Sequence, residues 1–270
     1  MKKTNKTKAL VEAAVLIAIA TVLSMIKLVD LPYGGSVTVA SALPLVLLSY
    51  RRGTLYGLGG ALVYGIIQQL LGLSTLSYVT TWQSAVAVVL LDYIVAFGVV
   101  GLGGLFRKSV SHQGAGLAMG SILVCLLRYG CHVLSGATVW AGLSIPDSAA
   151  LAYSFVYNAT YMIPETIVLT IAAYYLGTLL DFRKEQPTRL EKEGTTKGTV
   201  LGWVAGLLVS AGLIFDVVNI FAHLQDAETG EFTAMGFGQV PWAVIGIVSA
   251  AIAVVAGALL IYKYTLKTKE

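Results

Sequence analysis

A few ionisable side chains interrupt long apolar stretches of this sequence, and these residues are the best equipped for chemistry. The clearest are Asp92, Arg128, His132, Glu165 and Asp216. An ionised group inside a membrane-spanning helix is costly, so it needs a partner and often marks a ligand site or an ion pathway. We expect Arg128 and Glu165, near the middle of two successive spans, to form a structural ion pair. For Asp216 the sequence offers no partner beyond Asn219.

The composition places these residues in a membrane protein. Of the 270 residues 57% are apolar and only 12% are charged, and the mean hydropathy is +0.80. This leaves too little polar surface to coat a water-soluble globule, so we expect an all-α integral membrane protein in a lipid bilayer. The net charge of +4 does not indicate a nucleic-acid partner, because the basic residues form short clusters between apolar runs.

Eight segments are long and apolar enough, or nearly so, to span a bilayer as helices. A spanning helix needs about 20 mostly apolar residues. The predicted spans are residues 9–28, 37–50, 54–72, 83–105, 115–141, 148–180, 199–222 and 239–262. The second of these is short and contains Pro44, so we expect it to be tilted or broken.

The Lys and Arg residues predict the orientation of these spans. Sixteen of the 18 fall in segments that alternate to one face, and cytoplasmic loops collect such residues. We therefore expect a multi-pass protein of the cell membrane with both termini in the cytoplasm. The charged stretch 181–198 predicts a cytoplasmic linker between a six-helix substrate-binding domain (1–180) and a two-helix appendage (199–270).

This topology gathers polar and aromatic side chains at one depth, in the outer half of the bilayer. They are Asp92 and Tyr93 on the fourth span, His132 and Trp140 on the fifth, and Tyr153, Tyr157 and Asn158 on the sixth. Aromatic rings stack on a flat cationic heteroaromatic ligand, and a carboxylate neutralises its charge. His132 and Asn158 are placed to orient its polar groups. The alternative for each Trp or Tyr is a simple anchor at the membrane surface.

Residues 9–180 resemble a known family, the thiamine-specific substrate-binding (S) components of energy-coupling factor transporters. The resemblance rests on LVEAAVLIAIATVLS, LPLVLLSYRRG, LLDYIVAFGVVGLGG, LLRYGCHVLSGATVW and AYSFVYN. It implies a six-helix bundle with a high-affinity thiamine site near the extracellular face. It also implies reliance on a membrane-embedded coupling subunit and on cytoplasmic ATPase subunits, with no cofactor in this chain.

The resemblance also implies roles for individual residues. The family's thiamine-binding positions fall on Asp92, Tyr93, His132, Trp140, Tyr153 and Asn158, and its small residues that dock the coupling subunit fall on Ala14 and Ala18. Two positions depart from the family. The acid on the fourth helix is usually Glu, one methylene longer than Asp92, and Tyr33 stands near a loop position where some members have Trp.

Two other functions compete with substrate capture. In a proton-coupled secondary transporter of a small cationic or heteroaromatic solute, Asp92, His132 and Glu165 would relay protons. In an intramembrane hydrolase, His132 and Ser135 would pair on one helix face. No oxyanion motif, HExxH or paired CxxC occurs, so we expect neither an enzyme nor a metal site, and no GxxxxGK[ST] motif is present for ATP.

Overall fold

The chain forms two compact units, Met1–Arg189 and Leu190–Glu270. The computed structural model describes residues 6–142, 147–190, 196–224 and 234–267. Within these ranges seven helices are long and apolar enough to cross a membrane. The boundary between the units falls inside the stretch predicted as a linker. The first part of that stretch nevertheless belongs to the first unit, where β3 (Leu180–Asp181) pairs with β4 (Thr188–Arg189).

The first unit is a helical bundle whose elements follow the predicted segments closely, with one exception. Its helices are α1 (Lys6–Met25), α2 (Leu43–Arg52), α3 (Thr54–Leu71), α4 (Trp82–Arg107), α5 (Gln113–Gly142) and α6 (Asp147–Leu179). A short 3₁₀ helix, Leu73–Tyr78, follows α3. The exception is α2, which has only ten residues.

The prediction of a helical span over 37–50 is wrong for its first residues. A hairpin of β1 (Lys27–Asp30) and β2 (Ser36–Thr38) precedes α2, and the chain becomes helical only at Leu43, beside Pro44. Pro suits a first helical turn because the N–H that it lacks has no partner there. Ten residues give a helix of about 15 Å, half the thickness of a bilayer core.

Despite its short helix, this segment returns to the end of the unit where α1 begins. Both Arg51 and Arg52, at the end of α2, donate to the carboxylate of Glu12 on α1. Arg51 also donates to the carbonyls of Phe182 and Glu185, at 3.2 and 3.0 Å. The end of α2, the start of α1 and the β3–β4 hairpin therefore lie together.

Other basic residues join this cluster. Arg107 Nη1 donates to the Arg51 carbonyl at 2.9 Å, and Arg183 Nη2 donates to the Ser111 carbonyl at 2.6 Å. We call this end of the first unit, defined by Arg51, Arg52, Arg107 and Arg183, the basic end. The opposite end carries the β1–β2 hairpin and the 3₁₀ helix Leu73–Tyr78.

The helix α4 changes its winding along its length. It is α-helical over Trp82–Ala87, a π-helix over Val88–Val95, and partly 3₁₀ from Val99 onward. A π-helix has wider turns than an α-helix and occurs often at functional sites. Towards the basic end α4 approaches α5 closely, since a Cβ on Gly120 would meet the Gly103 carbonyl oxygen at 2.0 Å.

The second unit is a pair of long regular helices, α7 (Thr196–His223) and α8 (Trp242–Lys267). They pack closely at Gly212, where a Cβ would meet Ile252 Cδ1 at 2.6 Å. A hydrogen bond also links them: Ser249 Oγ donates to Asp216 Oδ2 at 2.7 Å. Asn219, the neighbour considered from the sequence, instead donates to the Phe215 carbonyl of its own helix.

Candidate functional site

A cavity of about 120 Å³ lies at the end of the first unit opposite the basic end. The β1–β2 hairpin, the 3₁₀ helix Leu73–Tyr78 and the helices α4, α5 and α6 enclose it. A single buried water needs roughly 10–15 Å³ of such a cavity, so this one is large enough for a ring compound or a group of waters.

The π-helical part of α4 presents Asp92 to α5 on the polar side of this cavity. Asp92 Oδ1 lies 2.9 Å from His132 Nδ1, and Ser135 Oγ donates to Asp92 Oδ2 at 3.0 Å. A carboxylate accepts hydrogen bonds, so Nδ1 carries a proton, and in the neutral form of the ring Nε2 is an acceptor. This Nε2 is buried and has no hydrogen-bond partner. The pair therefore offers a ligand an oriented acceptor.

Asn158 on α6 is held rigidly beside this pair. Its Nδ2 donates to the carbonyls of Ser154 and His132, at 2.8 and 3.3 Å, and its Oδ1 accepts from Tyr161 Oη at 2.5 Å. Gly136 on α5 makes the approach possible, because a Cβ there would meet Ser154 Oγ at 2.4 Å. The Asn158 side chain is thus part of the wall that sets the shape of the cavity.

Aromatic rings form the side of the cavity opposite the carboxylate. Trp140 on α5 packs edge-on against Tyr33, Tyr153 and Tyr157, with centroid distances of 4.8, 4.9 and 5.4 Å. Tyr33 also contacts Tyr78, at 4.9 Å. Rings in this arrangement give a ligand faces and edges to stack on, and their faces attract cations.

The β1–β2 hairpin covers the cavity through its tight turn. Tyr33 has a φ of 64° and Gly34 a φ of 96°, so the tyrosine adopts a left-handed conformation that bulky residues rarely take. The Gly35 amide donates to Tyr157 Oη at 3.2 Å. A Cβ on Gly35 would meet the Tyr161 ring at 2.7 Å, so only glycine allows this fit. Backbone strain of this kind clusters at ligand clamps.

The two charges predicted to pair inside the bundle have other surroundings. Glu165 accepts from the backbone N–H and the hydroxyl of Thr38, at 2.7 and 2.9 Å. The Arg128 guanidinium lies 4.8 Å from the centroid of the Phe97 ring and borders the cavity. The structure therefore differs from the predicted ion pair between Arg128 and Glu165. Thr38 lies in an extended segment, and its backbone N–H and hydroxyl donate to the Glu165 carboxylate instead.

Of the six ligand-binding positions predicted, five border the cavity. They are Asp92, Tyr93, His132, Trp140 and Asn158. Tyr153 is not among the cavity-lining residues and packs behind Trp140 instead. Tyr93 is fixed by its hydroxyl, which lies 3.2 Å from Thr75 Oγ1.

Several lining residues are not among the six positions predicted to bind the ligand. Tyr157 and Tyr161 share the four-residue spacing of Tyr153 and line the cavity, as do Thr75 and Tyr78 of the short 3₁₀ helix. The tyrosine spacing was a usable signal, whereas nothing in the segment 73–78 distinguished it from an ordinary loop.

The pair His132 and Ser135 does not form the dyad considered for a hydrolase. The Ser135 hydroxyl donates to Asp92, and the proton on His132 also faces that carboxylate. Among the described residues no group of three or more His, Cys, Asp and Glu side chains is arranged to hold a metal ion.

The two small residues predicted to dock a partner are exposed on α1. Ala14 and Ala18 lie on a face that also carries Leu10, Val11 and Val15, which are 63%, 59% and 53% exposed. Such an apolar face suits lipid or another membrane helix.

Comparisons with known proteins match the first unit. Residues 10–182 fit the family described as thiamine transporter protein (Thia_YuaJ). The thiamine transporter ThiT of Bacillus subtilis strain 168 is 32% identical over 182 residues, which are 63% of this chain and 91% of that protein.

A solved structure, ThiT from Listeria monocytogenes, superposes with a TM-score of 0.53 at 23% identity. The match covers 64% of this chain and 95% of the other. At this level of identity the likeness concerns the fold, which is that of an all-helical membrane protein.

Proposed function

This chain belongs to the thiamine transporter protein family, and on that premise we propose that it captures thiamine in the cavity of its first unit. The resemblance found in the sequence is thereby confirmed, and the chain is a transporter component and not an enzyme. Thiamine joins an aminopyrimidine to a permanently cationic thiazolium. The bound vitamin therefore has to find both hydrogen-bonding groups and compensation for one positive charge.

The observation that carries this proposal is the charge of the cavity region. Asp92 places a carboxylate on the cavity wall, hydrogen-bonded to His132 and Ser135, and Arg128 and the Glu165 carboxyl group lie in the same part of the bundle. The Asp92 carboxylate is the group that compensates the positive charge of a bound thiazolium. The aromatic rings of Trp140 and Tyr157 add stacking surfaces and cation–π attraction.

Calorimetry of the purified chain with thiamine, in detergent and without ATP, tests this proposal. We expect one site per chain, with quenching of tryptophan fluorescence through Trp140. A folded protein that binds neither thiamine nor its phosphate esters would contradict it.

Uptake is proposed to need partners: a membrane-embedded coupling subunit that docks at Ala14 and Ala18, and cytoplasmic ATPase subunits. The support is the exposed apolar face of α1 and the family resemblance. Replacing Ala18 by Leu should block close helix contact and lower ATP-dependent uptake at least tenfold, while thiamine affinity stays within about twofold. The Val22→Leu variant, on the same exposed face, is the control.

A transport assay in liposomes separates this proposal from proton-coupled transport. Reconstituted alone in liposomes, the chain should accumulate no thiamine under a pH gradient. Accumulation driven by the gradient would favour the proton-coupled alternative, for which the Asp92–His132 pair is the natural relay.

The proposed orientation places the basic end, and with it both termini, in the cytoplasm. Its support is the clustering of Arg51, Arg52, Arg107 and Arg183, since cytoplasmic loops collect such residues. Cysteines introduced at the exposed Thr188 and Ser77 mark the two ends of the first unit. An impermeant thiol reagent should label whole cells of Ser77→Cys and not of Thr188→Cys, and the reverse labelling would overturn the orientation.

A further inference from the structure

Arg128 lines the cavity, and the proposed site has so far given its hydrogen-bond donors no partner. It sits in the middle of α5 and is 7% exposed. Its Nε is buried without a hydrogen-bond partner, and no ion pair joins the guanidinium to Glu165, which Thr38 occupies. The Phe97 ring, at 4.8 Å, is the contact that supports the charge.

This arrangement is incomplete for a buried arginine. A guanidinium has five N–H donors and no acceptor, and a charge at this depth in a membrane protein is costly unless those donors are satisfied. A cation–π contact offsets part of the cost and leaves the in-plane N–H groups free. The acceptor for these groups therefore has to enter through the cavity, as water or as part of a ligand.

The position of Arg128 limits what that acceptor can be. Arg128 precedes His132 by four residues on α5, so it lies about one helical turn closer to the basic end, and both residues line the cavity. In the neutral imidazole, His132 Nε2 is an acceptor without a partner. The cavity thus presents an acceptor and, one turn nearer the basic end, a donor. An aminopyrimidine carries the complementary pair, an exocyclic amine and ring nitrogens that accept.

Charge favours this ring over a phosphate beside Arg128. A phosphate ester would bring negative charge next to the carboxyl groups of Glu165 and Asp92. We propose that Arg128 donates a hydrogen bond to a pyrimidine ring nitrogen of the bound vitamin and so determines specificity for the heterocycle. This inference rests on thiamine capture as proposed above.

The test combines variants with ligands that lack single nitrogens. Calorimetry compares the parent, Arg128→Met and Arg128→Lys with thiamine, 1′-deazathiamine, 3′-deazathiamine and thiamine monophosphate. For Arg128→Met we expect thiamine to bind roughly 10- to 100-fold more weakly, as for a lost hydrogen bond to a charged group. The loss should shrink to less than about threefold with the deaza analogue that lacks the accepting nitrogen.

Three comparisons keep the outcome decisive. Arg183→Met makes the same replacement at the basic end and should leave affinity unchanged. Arg128→Lys keeps the positive charge but lacks the planar guanidinium, so its thiamine affinity should lie between those of the parent and Arg128→Met. Its melting temperature should match that of the parent. Equal losses for all four ligands, or unaltered thiamine affinity in Arg128→Met, overturn the inference. If Arg128→Met weakens the binding of thiamine monophosphate more than that of the other ligands, Arg128 contacts the phosphate and not the pyrimidine. A parent that binds no thiamine refutes the proposed function itself.

Discussion

The two units of this chain use membrane helices in different ways. The second unit, in its described residues, consists of two long regular helices, which the Ser249–Asp216 hydrogen bond links, and a short 3₁₀ helix, Ala234–Gln239. In the first unit a π-helical stretch, the 3₁₀ helix Leu73–Tyr78 and a strained hairpin contribute residues to the wall of one cavity. A regular helix satisfies the N–H and C=O groups of its own backbone. Irregular backbone inside a membrane needs hydrogen-bond partners from neighbouring elements. The irregular elements around the cavity are packed in this way against α5 and α6, where we propose that thiamine binds.

The largest difference between the units should appear when their acids are replaced. Asp92→Asn removes the negative charge and places an N–H₂ group where His132 and Ser135 need an acceptor. We expect thiamine affinity to fall by about 100-fold, the upper range for hydrogen bonds to a charged group. Asp216→Asn makes the same change in the second unit and should leave affinity within about twofold. Calorimetry measures the thiamine affinity of both variants. Equal losses of affinity would contradict the assignment of the binding site to the first unit.

The tryptophans give a second, smaller contrast. Trp140→Ala removes the ring that Tyr33 and Tyr157 pack against. It should weaken thiamine binding about tenfold, as expected for a lost aromatic and cation–π contact. Most of the ligand-induced quenching should disappear with it. Trp203→Ala on α7 is the matched control. If this control loses as much of the ligand-induced quenching as Trp140→Ala does, the quenched tryptophan lies in the second unit.

The serines that donate to the two acids give the smallest contrast. Ser135→Ala removes one of two donors to Asp92 and should weaken thiamine binding by only about threefold, because His132 still positions the carboxylate and Ser135 acts on the ligand through Asp92. Ser249→Ala removes the donor to Asp216 and should not change affinity measurably. If both variants bind like the parent, the Ser135 contact does not help to position Asp92.

Hydropathy predicted most of the bundle because α1, α3, α5 and α6 each satisfy their backbone within one segment. It failed at residues 37–42, where a strand ends at Thr38 and a turn precedes α2, and where a carboxylate on α6 accepts from Thr38. No local pattern records a partner that is 127 residues away. The π-helical winding around Asp92 also has no signature in composition.

The candidate site shows the same division between local and distant information. Helical spacing put Tyr153, Tyr157 and Tyr161 on one face of α6, and all three do lie beside the cavity or its aromatic wall. Spacing alone does not separate Tyr153 from the other two, because that depends on where Trp140 of another helix lies. The free guanidinium of Arg128 was hidden for a similar reason, since the sequence offered Glu165 as the obvious partner.

The hydrogen bond between Thr38 and Glu165 has a consequence for how the protein is made. Residues 36–42 leave the ribosome long before α6, yet the acceptor for the Thr38 N–H and hydroxyl is on α6. Until that helix is inserted, the Thr38 N–H lacks its Glu165 partner, and a backbone N–H without a partner is costly inside a bilayer. We therefore expect β2 and α2 to reach their final depth only after the last helix of the first unit has entered the membrane.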